Sequence, residues 1–249
     1  TTASYFRAEQ VRAIISLAPL TITANLVNIL VILYLFQEQQ LPVLYLWGFS
    51  LFTVMSIGLR SWFKQQSGKA PTRSSSRALK RAIQHSVVAG LIWGALPLIT
   101  MGHANTFQLE IIYILMIGMI CASSFALSTI PAAAFCFVIL VSAEIILALF
   151  LFTPVYYSLL IFLFAVYAYI VCAAVLVQAK NFGARLMAEA TSQQQQQLTS
   201  LLLHDFETHT SDCLWELNEK GFLQNPSAKL ATLFGLDVNQ IHSTPFLDL

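Results

Sequence analysis

The chain has 249 residues, of which 57% are hydrophobic and 10% charged. A soluble domain averages about 25% charged residues, so this composition excludes one and points to a membrane protein. The formal net charge of +1 is uninformative, because the charge asymmetry lies between loops and not in the total; no nucleic-acid partner is expected.

A membrane-spanning helix needs about 20 apolar residues. Six runs qualify: 13–36, 43–63, 82–101, 111–129, 132–152 and 156–178. Together they predict a six-helix transmembrane domain over 13–178. The chain begins Thr-Thr without Met, and a true N-terminus further upstream is expected. The first run is too long for the apolar core of a signal peptide.

Arg60, Lys64, Lys69, Arg73, Arg77, Lys80 and Arg81 all gather where the second run gives way to the third, and the other connections carry no Lys or Arg. By the positive-inside rule this predicts a multi-pass protein of the bacterial inner membrane with both termini in the cytoplasm. The segment 64–80 is rich in Ser, Gly and Pro and reads as a flexible cytoplasmic loop. Its cations could meet anionic lipid headgroups, so membrane lipid is a candidate partner, but setting topology alone is the favoured role. The outer connections 37–42, 102–110 and 153–155 are too short to build an extracytoplasmic domain. Any stimulus, a small molecule or a membrane-borne cue, must be read in the bilayer, at its surface or from inside. Ile130 and Pro131 form a tight inner turn, making the fourth and fifth helices antiparallel neighbours. Trp62, Tyr156, Tyr157 and Trp47 lie near run ends, where interfacial aromatics belong.

Helix formers dominate 179–210, with a Gln run at 193–197. Phe182, Leu186 and Ala190 are spaced by four, and Leu198, Leu201 and Leu202 resume the apolar stripe. This predicts a cytoplasmic linker helix, a short parallel coiled coil joining a homodimer through Phe182, Leu186, Leu198 and Leu202. Over 211–249 the pattern changes. Residues 213–218 and 222–224 read as strands around the turn Glu219-Lys220-Gly221, and 228–234 as a short helix ended by Gly235.

The stretch SDCLWELNEKGFLQNPSAKLATLFGLD resembles the opening of a PAS domain, which implies an incomplete α/β PAS domain over 211–249. With the preceding LLLHDFETHT, it resembles the linker-to-PAS junction of bacterial membrane proteins that continue into GGDEF and EAL domains. That resemblance implies a sensor and signal-transmission region whose output, synthesis or hydrolysis of cyclic di-GMP, lies in domains beyond these residues. A membrane histidine kinase can carry the same front end. A small-solute transporter or channel with a regulatory PAS domain is a third reading, weakened by a single intramembrane carboxylate and no evident inverted repeat.

Candidate sites are sparse. Glu144 is the only acidic residue within an apolar run; charge there costs about 2.5–3.5 kcal/mol on insertion scales, so it must face the interior, be protonated or be paired. A ligand contact or proton-sensitive switch competes with a structural hydrogen bond to Asn25, Asn28 or His85, and the structural bond is favoured. Asn25 and Asn28, three apart, either line a pocket or join helices. His85 and His103 are separated by 18 residues, about 27 Å of helix, too far to share a metal. Gly90 with Gly94, and Gly118 with Ala122 and Ala126, form small-residue stripes suited to close helix packing. Cys121, Cys136, Cys172 and Cys213 show no metal or disulfide spacing, and the first three read as small buried hydrophobes. No catalytic residue can be named, and the cofactor, if any, is unknown.

Overall fold

A computed structural model describes residues 2–69, 76–152, 158–209, 216–218, 222–224, 230 and 235. The helices are α1 (Thr2–Ser16), α2 (Ala18–Leu35), α3 (Pro42–Lys64), α4 (Ser76–Thr100), α5 (Thr106–Leu127), α6 (Pro131–Phe152) and α7 (Ser158–His209). A π-helical turn, Gln65–Lys69, extends α3. With α1 and α2 forming one span, six helices are long and apolar enough to cross a membrane. The chain divides into two compact units, 1–186 and 187–249, and α7 begins in the first and ends in the second.

Local chemistry explains most helix ends. Proline, which has no N–H to waste, opens α3 and α6 and sits in the first turn of α2. Pro19 also accounts for the break at Leu17, because its ring lacks a donor for the preceding turn. α1 therefore closes with Leu17 N donating to the Ile14 carbonyl at 3.2 Å, and α2 restarts with Thr21 N donating to Leu17. Asn105 caps α5 in a capping box: its side chain accepts from Gln108 N, and the Gln108 side chain accepts from Asn105 N, both at 2.9 Å. The Gln108 amide donates onward to the Leu35 carbonyl at 2.7 Å, fastening the start of α5 to the end of α2.

α6 stands at the centre of the bundle, with 39% of its span buried, the largest share of the six. Ala133, Phe137, Val141, Ile145 and Ala148 or Leu149 line its core face at helical spacing. α4 packs closely along it because Gly90 and Gly94 carry no side chain there. A Cβ at Gly90 would lie 3.4 Å from the Phe137 Cα, and one at Gly94 would overlap the Glu144 side chain. The stripe on α5 behaves differently: Gly118 has open space beside it and Ala122 is exposed, while Ala126 is buried.

At the end of the bundle holding the α5–α6 turn, Gln10 Nε2 donates to the Thr129 carbonyl at 2.7 Å and Thr129 Oγ1 donates back to the Gln10 carbonyl at 3.1 Å. This reciprocal pair ties α1 to the turn. α7 rests on the bundle through Phe164, Val171 and Val175, all buried. Tyr113 meets Phe164 with ring centroids 6.5 Å apart, the Tyr167 hydroxyl touches Cys121 Sγ, and Phe6 stacks edge-on against Phe182.

Several sequence expectations need correction. The loop expected over 64–80 is helical at both ends, through Lys69 and from Ser76, so that Arg77, Lys80 and Arg81 form the first turns of α4. Ser-Arg-Ala-Leu-Lys-Arg is good helix-forming sequence, and long cationic stems extend a span at little cost. Trp47 lies near the start of α3, as expected, but it faces the protein: it is buried, with its indole N–H donating to the Ile92 carbonyl at 2.7 Å. Cys121 is exposed, not buried.

Beyond the bundle, Glu216–Leu217 and Leu223–Gln224 form a two-residue antiparallel ladder, pairing Glu216 with Gln224 and Leu217 with Leu223. Asn218 closes it, its N–H donating to the Phe222 carbonyl and its side-chain oxygen accepting from Phe222 N. These residues fall inside the two expected strands. Gly235 has φ +67°, the left-handed conformation that suits a helix end. Residues 213–215 and most of the expected helix 228–234 lie outside the described residues.

Candidate functional site

A cavity of about 610 Å³ opens among α1, α2, α3, α4, α5 and α6. It exists because small residues occupy one face of α4: Ala78, Ala82, Ser86 and Ala89, spaced by four, four and three, all line it, as do Ala8 and Ala18 from the first span and Gly58 from α3. Around these lie Ile15, Ile22, Val54, Met55 and Leu127, so the walls are mostly apolar.

The two ends differ in chemistry. One carries Arg12, Lys64 and Arg81. The Arg12 guanidinium is engaged by Glu9 at 2.7 Å. Lys64 and Arg81 are exposed and form no ion pair among the described residues. The other end is closed by Asn25 and Trp93. The Trp93 indole N–H donates to Asn25 Oδ1 at 2.9 Å, and Asn25 Nδ2 donates to the Thr21 carbonyl at 2.6 Å. Trp93 is buried and meets Trp47 edge-on, with ring centroids 5.4 Å apart at 86°. Two adjacent indoles, each with its N–H satisfied, make a rigid floor. Between the ends sit His85 and Ser86, the latter donating to the Ala133 carbonyl at 2.5 Å.

The structure therefore brings Asn25 and His85 into one cavity and leaves Asn28 and Glu144 out of its lining. Asn28 Nδ2 donates to Met119 Sδ at 3.1 Å, joining α2 to α5. Glu144 lies against Gly94, and its Oε2 is buried without a hydrogen-bond partner. It bonds none of Asn25, Asn28 or His85, the partners expected from sequence. Trp93, Arg12 and Arg81 line the cavity and were not singled out as site residues. The signal for them was the alanine stripe at 78, 82 and 89 leading to Trp93, a face too small to fill the space before it.

Among the described residues no three His, Cys, Asp or Glu side chains gather to hold a metal. The polar groups at the closed end are spent on the fold, so the arrangement suits holding a largely apolar molecule more than making or breaking bonds. No protein-family profile, no curated protein and no solved structure matches the chain.

Of the residues expected to join a dimer, Phe182 is half-buried against Phe6 and Leu186 half-buried, whereas Leu198 and Leu202 are exposed, at 53% and 69%.

Proposed function

We propose that this chain is the sensor and signal-transmission part of a bacterial inner-membrane receptor, with both termini cytoplasmic, that acts as a homodimer and controls cyclic di-GMP synthesis or hydrolysis. The observation that carries this reading is α7, a single helix of 52 residues. Its first part packs into the bundle through Phe164, Val171 and Val175, and its later part is exposed, with the polar run 193–197 followed by the exposed apolar side chains of Leu198, Leu201 and Leu202. A helix without a break transmits rotation and sliding along its length. A short amphipathic helix standing alone is marginal in water, so a second copy is its simplest partner. The mechanism is then a bistable helix pair shifted between two registers by events in the membrane domain. The resemblance of 211–249 to the start of a PAS domain supplies the receiving module, and the junction it forms with the linker points to cyclic di-GMP output.

The test is a phase series. Residues are inserted into α7 after Glu189 in the protein carrying its natural downstream sequence, and cellular cyclic di-GMP is measured. Each inserted residue rotates the output by about 100°, so a seven-residue insertion should retain regulation and a two-residue insertion should lock or abolish it. Output that ignores insertion length would defeat the rod mechanism. Autophosphorylation in place of nucleotide turnover would assign the same front end to a histidine kinase.

A further inference from the structure

We propose that the cavity is a binding site for an anionic membrane phospholipid, with one acyl chain in the cleft and the headgroup phosphate against Lys64 and Arg81. This gives the sensor a ligand class but does not rest on the signalling reading, because binding is read without any output.

Size, depth and charge argue for this occupant. The volume of about 610 Å³ falls within the ~300–1,000 Å³ of small-ligand sites. From Arg81 to Trp93 along α4 the cavity runs about 18 Å, at about 1.5 Å per residue. One leaflet of hydrocarbon is about 15 Å, half of the ~30 Å core. A chain whose headgroup sits at the basic end, above the hydrocarbon edge, therefore reaches the tryptophan floor close to the bilayer midplane. The walls offer it alanine, isoleucine and methionine. The floor presents Asn25 and Trp93 with their polar atoms already bonded to each other and to the Thr21 carbonyl, so an apolar chain end orphans nothing there.

The basic end supplies the headgroup chemistry. Arg12 is neutralised by Glu9, which leaves Lys64 and Arg81, from two different helices, as the cations at the mouth without an ion pair among the described residues. Basic pockets between spanning helices, beside a leaflet rich in anionic lipid, are suited to phosphate headgroups. A neutral amphiphile would leave both cations unused, and a polar solute would meet an apolar interior.

The whole chain is reconstituted in phosphatidylcholine nanodiscs doped with tail-brominated phosphatidylglycerol, and tryptophan fluorescence is recorded. The share belonging to Trp93 is isolated by subtracting the Trp93→Phe variant. Bromine on the acyl chain should quench Trp93 at mole fractions where tail-brominated phosphatidylcholine does little. Each cation near a membrane surface is worth about fivefold in affinity, ~1 kcal/mol converted at 1.4 kcal/mol per decade. The double variant Lys64→Gln, Arg81→Gln should therefore weaken phosphatidylglycerol quenching by about 25-fold, to the phosphatidylcholine level. Equal quenching of the wild type by both lipids overturns the proposal, as does an unchanged preference in the double variant. Quenching by a brominated free fatty acid but not by brominated phosphatidylglycerol overturns it in favour of a single-chain ligand. Should Trp93→Phe fail to fold, native mass spectrometry of retained phosphatidylglycerol decides. Wild type should keep the lipid in detergent and the double variant, altered only at exposed side chains, should not; equal retention overturns the site.

Discussion

At Gly94 and Glu144 the molecule makes an unusual exchange. The hydrogen in place of a side chain at position 94 lets the Glu144 chain lie directly on α4, where its Oε2 is buried with no partner. A methyl group at 94 would sit 2.7 Å from Glu144 Cδ and 2.9 Å from its Cβ, inside any normal contact. Gly94→Ala is therefore expected to destabilise the bundle by about 1–3 kcal/mol, the usual cost of overpacking. Glu144→Ala in the same chain should recover part of that loss, because Oε2 and Cδ are gone while the Cβ at 2.9 Å stays. The double-mutant cycle, measured by unfolding in detergent, should give a coupling of about 0.5–2 kcal/mol; additive effects would mean that α4 and α6 do not meet through this pair. The sequence marked Glu144 as exceptional because a carboxyl in an apolar run is exceptional. It did not disclose the contact, because the face of α6 that meets Gly94 is set by how two helices cross.

At the scale of elements, hydropathy located every spanning helix, since burial in either protein or lipid demands the same apolar length. What it could not resolve was the polar ends. α1 starts at Thr2 and not at the first apolar run, because Gln10 and Thr129 exchange hydrogen bonds that no periodicity encodes. The burial of Trp47 was hidden for a related reason: an indole suits both an interface and a core, and here the Ile92 carbonyl satisfies it inside. α7 was legible as one element running from the bundle into the linker. Its apolar positions now divide into two groups, Phe182 with an aromatic partner on α1 and Leu198, Leu201 and Leu202 without buried surroundings. Single cysteines at Leu198 and Leu202 should therefore crosslink between copies in membranes at least several times more efficiently than one at Glu189. A cysteine at Phe182 should crosslink less than either leucine position, because that side chain is held by Phe6. Equal crosslinking at Glu189, Leu198 and Leu202 would count against a leucine seam.

For the whole molecule, charge placement and cavity placement converge on one end of the bundle. Lys64 and Arg81, the cations at the mouth of the cavity, belong to the cluster that the positive-inside rule assigns to the cytoplasm. The expected orientation rests only on counts of Lys and Arg between apolar runs. The cavity was not legible in the sequence, because it depends on alanines from several helices facing one another, and alanine alone is neutral evidence. The orientation can be checked directly. A cysteine introduced at His103, which is exposed in the connection between α4 and α5, should react in intact cells with a membrane-impermeant maleimide, in a background where Cys121, Cys136, Cys172 and Cys213 are replaced by serine or alanine. A cysteine at Ser75, in the basic connection between α3 and α4, should react only after the membrane is opened. Moving the charge gives a graded test: placing three lysines in the connection at His103 while replacing Lys64, Lys80 and Arg81 by glutamine leaves Arg60, Lys69, Arg73 and Arg77, four cations against three, and so removes most of the asymmetry between these two connections. That chain should show mixed labelling. If Ser75 labels from outside in the unaltered chain, the basic end faces outward. The lipid site would then open to the outer leaflet, and the linker helix would leave the membrane on the side away from cyclic di-GMP.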